Sequence, residues 1–147
     1  MNRKFLILLV LLLISSLNMF SKEQLSSDLR NQKTYYYDTI ASITGVVDIE
    51  EHFVEGPNLT IHPHILYLSN PIKVVPSTAN SDYSDDDDIE INVKKIQLSM
   101  DDSQINKLRE KKAYGKKIKV TGELYHWQTH WHVTEVLMSV ESVEILN

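Results

Sequence analysis

The sequence predicts a mostly β fold: a small five-stranded barrel with one α-helix between its third and fourth strands, preceded by a signal peptide. Three observations carry that expectation. Apolar residues recur with a period of two in several separate stretches. A single segment, opening at Asp101, carries both start and stop signals of a helix. At the N-terminus, an apolar run follows two basic residues.

The N-terminal run comes first. Arg3 and Lys4 precede an unbroken apolar stretch from Phe5 to Ile14, and polar and small residues fill most of Ser15 to Ser21. This is the layout of a secretory signal, and the run is shorter than the ~20 residues that span a bilayer. Residues 1–21 are therefore expected to be a cleaved signal peptide, with an uncleaved anchor continuing through Leu17, Met19 and Phe20 as the alternative. Ser21 is suitably small for the last position before cleavage, whereas Met19 is bulky. The chain has no cysteine, which excludes a lipid-modified cysteine anchor. The expected location is periplasmic or secreted, with no stable membrane insertion after cleavage.

Composition narrows the partners. There are 15 Lys and Arg against 20 Asp and Glu, a formal charge of −5, and loss of Arg3 and Lys4 makes the remainder more acidic still. Nucleic acid is excluded as an expected partner, because phosphate contacts need a surplus of basic side chains. Without cysteine there are no disulfides, so stability must come from a packed core.

Residues 22–38 read as a flexible or helical leader, and 39–147 as the folded domain. In the first strand Ile43, Gly45, Val47 and Ile49 share one face, and Gly56-Pro57 ends the segment. The second runs from Leu59 to Val75, interrupted near Asn70-Pro71, with Pro63 marking an edge or bulge. Ser77 to Asp88, which ends in four aspartates, reads as a solvated loop; the glycine and terminal glutamate of a calcium-binding EF-hand are missing. The third strand, Ile89 to Met100, changes parity between Val93 and Ile96, which predicts a bulge at Lys94-Lys95.

The helix is expected over Asp101–Tyr114. Asp101 and Gln104 have the spacing of a capping box, Ile105 and Leu108 supply an apolar stripe, and Gly115 stops it. A hairpin closes the chain. Ile118, Val120, Gly122 and Leu124 face one way, Trp127 to Trp131 connect, and Val136, Met138 and Val140 return before a second parity change at Val143. This order suits an OB-like barrel with the helix at one end. Ile43–Val47 (ITGVV) and Val120–Leu124 (VTGEL) each put glycine on the inward face, where tight coiling leaves no room for a side chain. An open antiparallel sandwich with one helix is the competing architecture.

The stretch GKKIKVTGELYHWQTHWHVTEVLMSVESVEI, Gly115 to Ile145, resembles the C-terminal hairpin of a family of uncharacterised bacterial secreted proteins. Looser similarity extends to ITGVV and to Leu66–Val74. The resemblance implies an exported OB-like domain and no established activity. The family often has adjacent histidines in the turn, whereas here Trp131 separates His130 from His132.

Two constellations are candidates for function. Trp127, Trp131, Tyr125 and Tyr67 are expected to contact a ligand, because OB-folds bind through aromatic side chains on strands and rim loops. His126, His130 and His132 lie close in sequence, and neutral imidazole suits zinc or copper, although no established zinc spacing is matched. Ordinary packing explains either set as well. No nucleophilic elbow, HExxH helix or phosphate loop is present. The expected function is a non-enzymatic module that recognises a protein or peptide, in the manner of an inhibitor or immunity protein. A periplasmic metal-binding protein is the alternative.

Overall fold

The computed structural model describes residues 32–77, 89–127, 129 and 131–146. The expected signal peptide and most of the aspartate-rich loop lie outside these. No helix among the described residues is long and apolar enough to cross a membrane.

The chain is mostly β with one helix among the described residues. The strands are β1 (Lys33–Tyr36), β2 (Ile40–Ile49), β3 (His52–Val54), β4 (Leu59–Ile61), β5 (His64–Val75), β6 (Glu90–Ser99), β7 (Lys117–His126) and β8 (Val136–Ile145); α1 spans Asp102–Glu110 between β6 and β7. The main sheet has six strands in the order β1-β5-β2-β7-β8-β6, and β5 also pairs with β6. The pairings of β2, β7, β8, β6 and β5 therefore return to their starting strand. All are antiparallel except β6 with β8, which is parallel over Gln97–Ser99 and Leu137–Ser139.

Five strands were expected and the described residues contain eight. The three additional strands have local causes. β5 is 12 residues long, but β2 accompanies only its first part, so β1 pairs in parallel with Ile72–Val75. The last residues of the expected leader thus belong to the sheet. The excursion between β2 and β5 closes on itself as the β3–β4 hairpin, with Asn58 at φ 52 in its turn. Gly56-Pro57 is that turn rather than the end of the first strand.

Alternation decides the core. Ala41, Ile43 and Val47 of β2, Ile118, Val120 and Leu124 of β7, and Ile96 and Leu98 of β6 join one buried cluster with Leu108 of α1. Val93 and Ile96 are both buried with Lys94 and Lys95 exposed between them, as the parity change requires. Glu141 is the extra residue at the β7–β8 irregularity, which falls between Thr121 and Gly122. Both inward glycines are sterically required. A Cβ on Gly45 would lie 2.5 Å from the Tyr67 carbonyl oxygen, and one on Gly122 would strike the Ser139 carbonyl and come within 2.9 Å of Val140 Cα.

α1 begins as its sequence dictates. The Asp101 carboxylate accepts from the Gln104 backbone N–H at 2.8 Å, and the Gln104 side chain accepts from the Asp101 N–H at 3.0 Å. It ends at Glu110 rather than at the expected Tyr114, because the backbone turns left-handed at Lys112 (φ 48), ahead of Gly115. The N–H groups of Ala113 and Lys112 donate to the carbonyls of Leu108 and Arg109 in a Schellman motif. The helix sits at the end of the sheet where β6 stops and β7 starts. At the other end, Tyr37 is fully buried against the core.

Candidate ligand-binding surface

On β7 the inward side chain of Leu124 is followed by Tyr125, which alternation turns to the outer face. Register places Tyr125 beside Leu137, Leu137 beside Gln97, and Gln97 beside Ile65, a row across β7, β8, β6 and β5. Ile65 and Leu137 are buried to within 1% although they lie outside the main core cluster. Part of the outer face is therefore covered.

Gln97 ties that row to the β7–β8 connection. Its side-chain amide donates to the Trp131 carbonyl at 3.3 Å and its side-chain oxygen accepts from the Val133 N–H at 2.8 Å. The Gln97 backbone N–H donates to the Thr134 hydroxyl at 3.0 Å, and that hydroxyl donates to the Val136 carbonyl at 2.6 Å. At the base of the connection, the Trp127 N–H donates to the Glu135 carbonyl at 3.0 Å. The connection is clasped to the sheet by its backbone, which leaves Trp127 49% and Trp131 45% exposed.

The expected site residues separate into three groups. Trp127 and Trp131 stand on the clasped connection. Tyr125 packs edge-on against His132, with ring centroids 6.0 Å apart, and burial pushes its phenol pKa up against a hydrogen bond to Ser99. Tyr67 is occupied elsewhere on the outer face: its hydroxyl donates to the Glu50 carboxylate, which also accepts from the Lys95 ammonium. Those two hydrogen bonds, Lys95 first, hold the Glu50 carboxyl below its usual range, and the Glu50 bond raises the Tyr67 phenol to about 12.

The histidines diverge. His126 follows the inward parity of Leu124, lies edge-on to Tyr37 at 5.6 Å, and is 3.2 Å from the Glu90 carboxylate. His132 lies on the Tyr125 side, and burial lowers its pKa. Projection of strand parity back from Val136 puts both at one rim, but β8 begins only at Val136, so parity says nothing about His132. His130 lies outside the described residues. Among the described residues no group of three His, Cys, Asp or Glu side chains could hold a metal ion.

Beside the connection, β6 parts from β8. The parallel pairing covers only Gln97–Ser99, and a cavity of about 420 Å³ opens between Glu90–Lys95 of β6 and Val133–Glu135. Ile91 is exposed at its edge. Sequence reasoning missed Gln97, Thr134, Glu50 and Lys95. The Gln97–Trp131 link joins residues 34 apart and the Glu50–Lys95 pair residues 45 apart, so no local pattern announces either.

These features define a mostly β domain with a clasped, aromatic hairpin connection. Residues 95–144 match the family model described as Domain of unknown function (DUF4431). That match takes in the end of β6, α1, β7, the connection and nearly all of β8. No curated protein matches the chain.

Proposed function

We propose that this protein is an exported, non-enzymatic binding module on an OB-like barrel, and that it recognises a protein or peptide through the aromatic connection and the outer face of β5 and β6. The closed circuit of five strands, its one parallel pairing and the position of α1 support the barrel reading. OB-folds carry ligands on the outer face of their second and third strands, between the first and last connections. Here those strands are β5 and β6, and those connections are residues 50–63 and 127–135. The export reading rests on Arg3 and Lys4 ahead of the Phe5–Ile14 run, and places the module in the periplasm or outside the cell.

The observation that carries the reading is the pair of half-exposed tryptophans on a connection that Gln97 holds at the Trp131 and Val133 backbone and at the Thr134 hydroxyl. Large aromatic surface fixed in advance loses little entropy on binding, which is how aromatic anchors act at interfaces. The acidic net charge favours a cationic partner and works against nucleic acid.

Selection from a random peptide display library on the purified protein, followed by calorimetry, tests this. Enriched peptides are expected to bind, and Trp131→Ala to weaken them by about tenfold or more. No enrichment, or undiminished binding to both Trp127→Ala and Trp131→Ala, overturns the proposal.

A further inference from the structure

A second cavity, of about 740 Å³, lies at the end of the molecule where β7 starts, and is lined by Lys107, Lys111, Lys116, Lys117, Ile145 and Leu146. Its four charged side chains all carry one sign in a chain whose net charge is −5. They come from different places in the fold: Lys107 from α1, Lys111 from its C-cap, Lys116 from the turn after it, and Lys117 from the first position of β7.

Lysines near a helix C-terminus usually serve its free carbonyls. That role is largely filled here. The carbonyls of Lys107, Leu108 and Arg109 accept from the backbone N–H groups of Lys111, Ala113 and Lys112. Only Lys116 reaches a terminal carbonyl, that of Lys111, at 3.5 Å. Lys107 donates instead to the Val143 carbonyl at 2.5 Å, which fixes its ammonium beside β8. Among the described residues no carboxylate pairs with any of the four, whereas Lys95 and Lys119 pair with Glu50 and Glu144.

We infer that this cleft binds a small amphiphilic anion, a single phosphate or carboxylate head on an apolar body. The lysines that line the cleft would take the head, since like charges lining one cavity raise the local concentration of anions. Ile145 and Leu146 would take the body, and the volume falls in the range of pockets that enclose small organic ligands. The site is independent of the aromatic connection, which is carried at the far end of β7.

The test is titration of the purified protein with octyl phosphate, octanoate, octanol and inorganic phosphate, followed by amide chemical shifts. The two anionic amphiphiles are expected to shift Lys116, Lys117 and Leu146 saturably, and to bind about tenfold or more tighter than octanol or inorganic phosphate. The Lys116→Gln/Lys117→Gln variant, whose substituted side chains are exposed, should lose about tenfold, and the wild-type affinity should fall with added salt. Trp131→Ala should change nothing. Co-sedimentation with phosphatidylglycerol vesicles that the lysine variant loses identifies the head as a lipid's; binding of the soluble amphiphiles without it identifies a free acid. Octanol binding as tightly as octyl phosphate, equal binding by the folded lysine variant, or no saturable shift at the cleft overturns the inference.

Discussion

Leu124 and Tyr125 are neighbours on β7, yet the two faces they occupy are held by different physics. Inside, Leu124 joins a cluster assembled from β2, β5, β6, β7, β8 and α1, where apolar burial needs only the right parity and volume. Outside, Leu137 and Ile65 are just as buried, but the polar side chain between them, Gln97, holds the segment above by directed hydrogen bonds. Burial without direction tolerates variation in shape. A clasp made of a few oriented bonds does not, and it sets where Trp127 and Trp131 stand.

The largest effect is expected inside, at the glycines. Gly122→Ala should destabilise the fold by about 3 kcal/mol or more in chemical denaturation, because the new methyl meets the backbone of Ser139 and Val140, which can yield only by moving β8. Gly45→Ala should cost less, about 1–3 kcal/mol, since its new methyl meets one backbone atom, the Tyr67 carbonyl oxygen at 2.5 Å, whereas that on Gly122 meets three and comes nearer to the first. Equal and small losses at both positions would mean that the interior is looser than its alternation implies.

Outside, Gln97→Ala should cost about 1–3 kcal/mol, because it leaves the Val133 N–H and the Trp131 carbonyl without their partner. Its signature separates it from a core deletion. Leu124→Ala should lower the cooperative unfolding midpoint with native tryptophan emission retained below the transition. Gln97→Ala should shift that emission and speed amide exchange over Trp131–Thr134 while the core strands stay protected. Unchanged emission and exchange in Gln97→Ala would show that the connection is held by something other than the clasp.

The same contrast explains what could be read from the sequence. ITGVV, VTGEL and the Asp101–Gln104 capping box were legible because each is a short-range pattern whose physics is local. β1 and β3 were not, and β4 was legible only as the start of the second strand, which parts at Pro63. β1 and β3 are four and three residues long, too short for a period to emerge, and β1 exists because β5 outruns β2. Of the aromatic candidates, Trp127 and Trp131 stand exposed on the connection, while Tyr67 is engaged by a carboxylate from Glu50, just beyond the end of β2. The hydrogen bond that occupies Tyr67 depends on a partner 17 residues away.

The smallest effect is expected from that outer trio of Glu50, Tyr67 and Lys95, and it divides into an acid and an alkaline arm. The Glu50 carboxyl titrates lower in the folded protein than its ordinary value of 4.5, so the stability it contributes is present above that value and lost as pH falls through the folded pKa. The Tyr67 phenol moves the other way, from 10.0 to about 12. Its contribution is complete below 10.0 and disappears as pH rises through about 12. Because Lys95 is 47% and Glu50 28% exposed at their side chains, solvent screens the pair and both arms should be shallow. Glu50→Gln should flatten the acid arm and return Tyr67 toward an ordinary phenol, visible as earlier ionisation in tyrosine absorbance. Tyr67→Phe should remove the phenol that titrates at about 12 and leave the acid arm in place, weakened, because Lys95 remains on Glu50. If Glu50→Gln leaves the alkaline absorbance curve unmoved, the hydroxyl is not held by that carboxylate, and Tyr67 becomes available to the same ligand as the tryptophans.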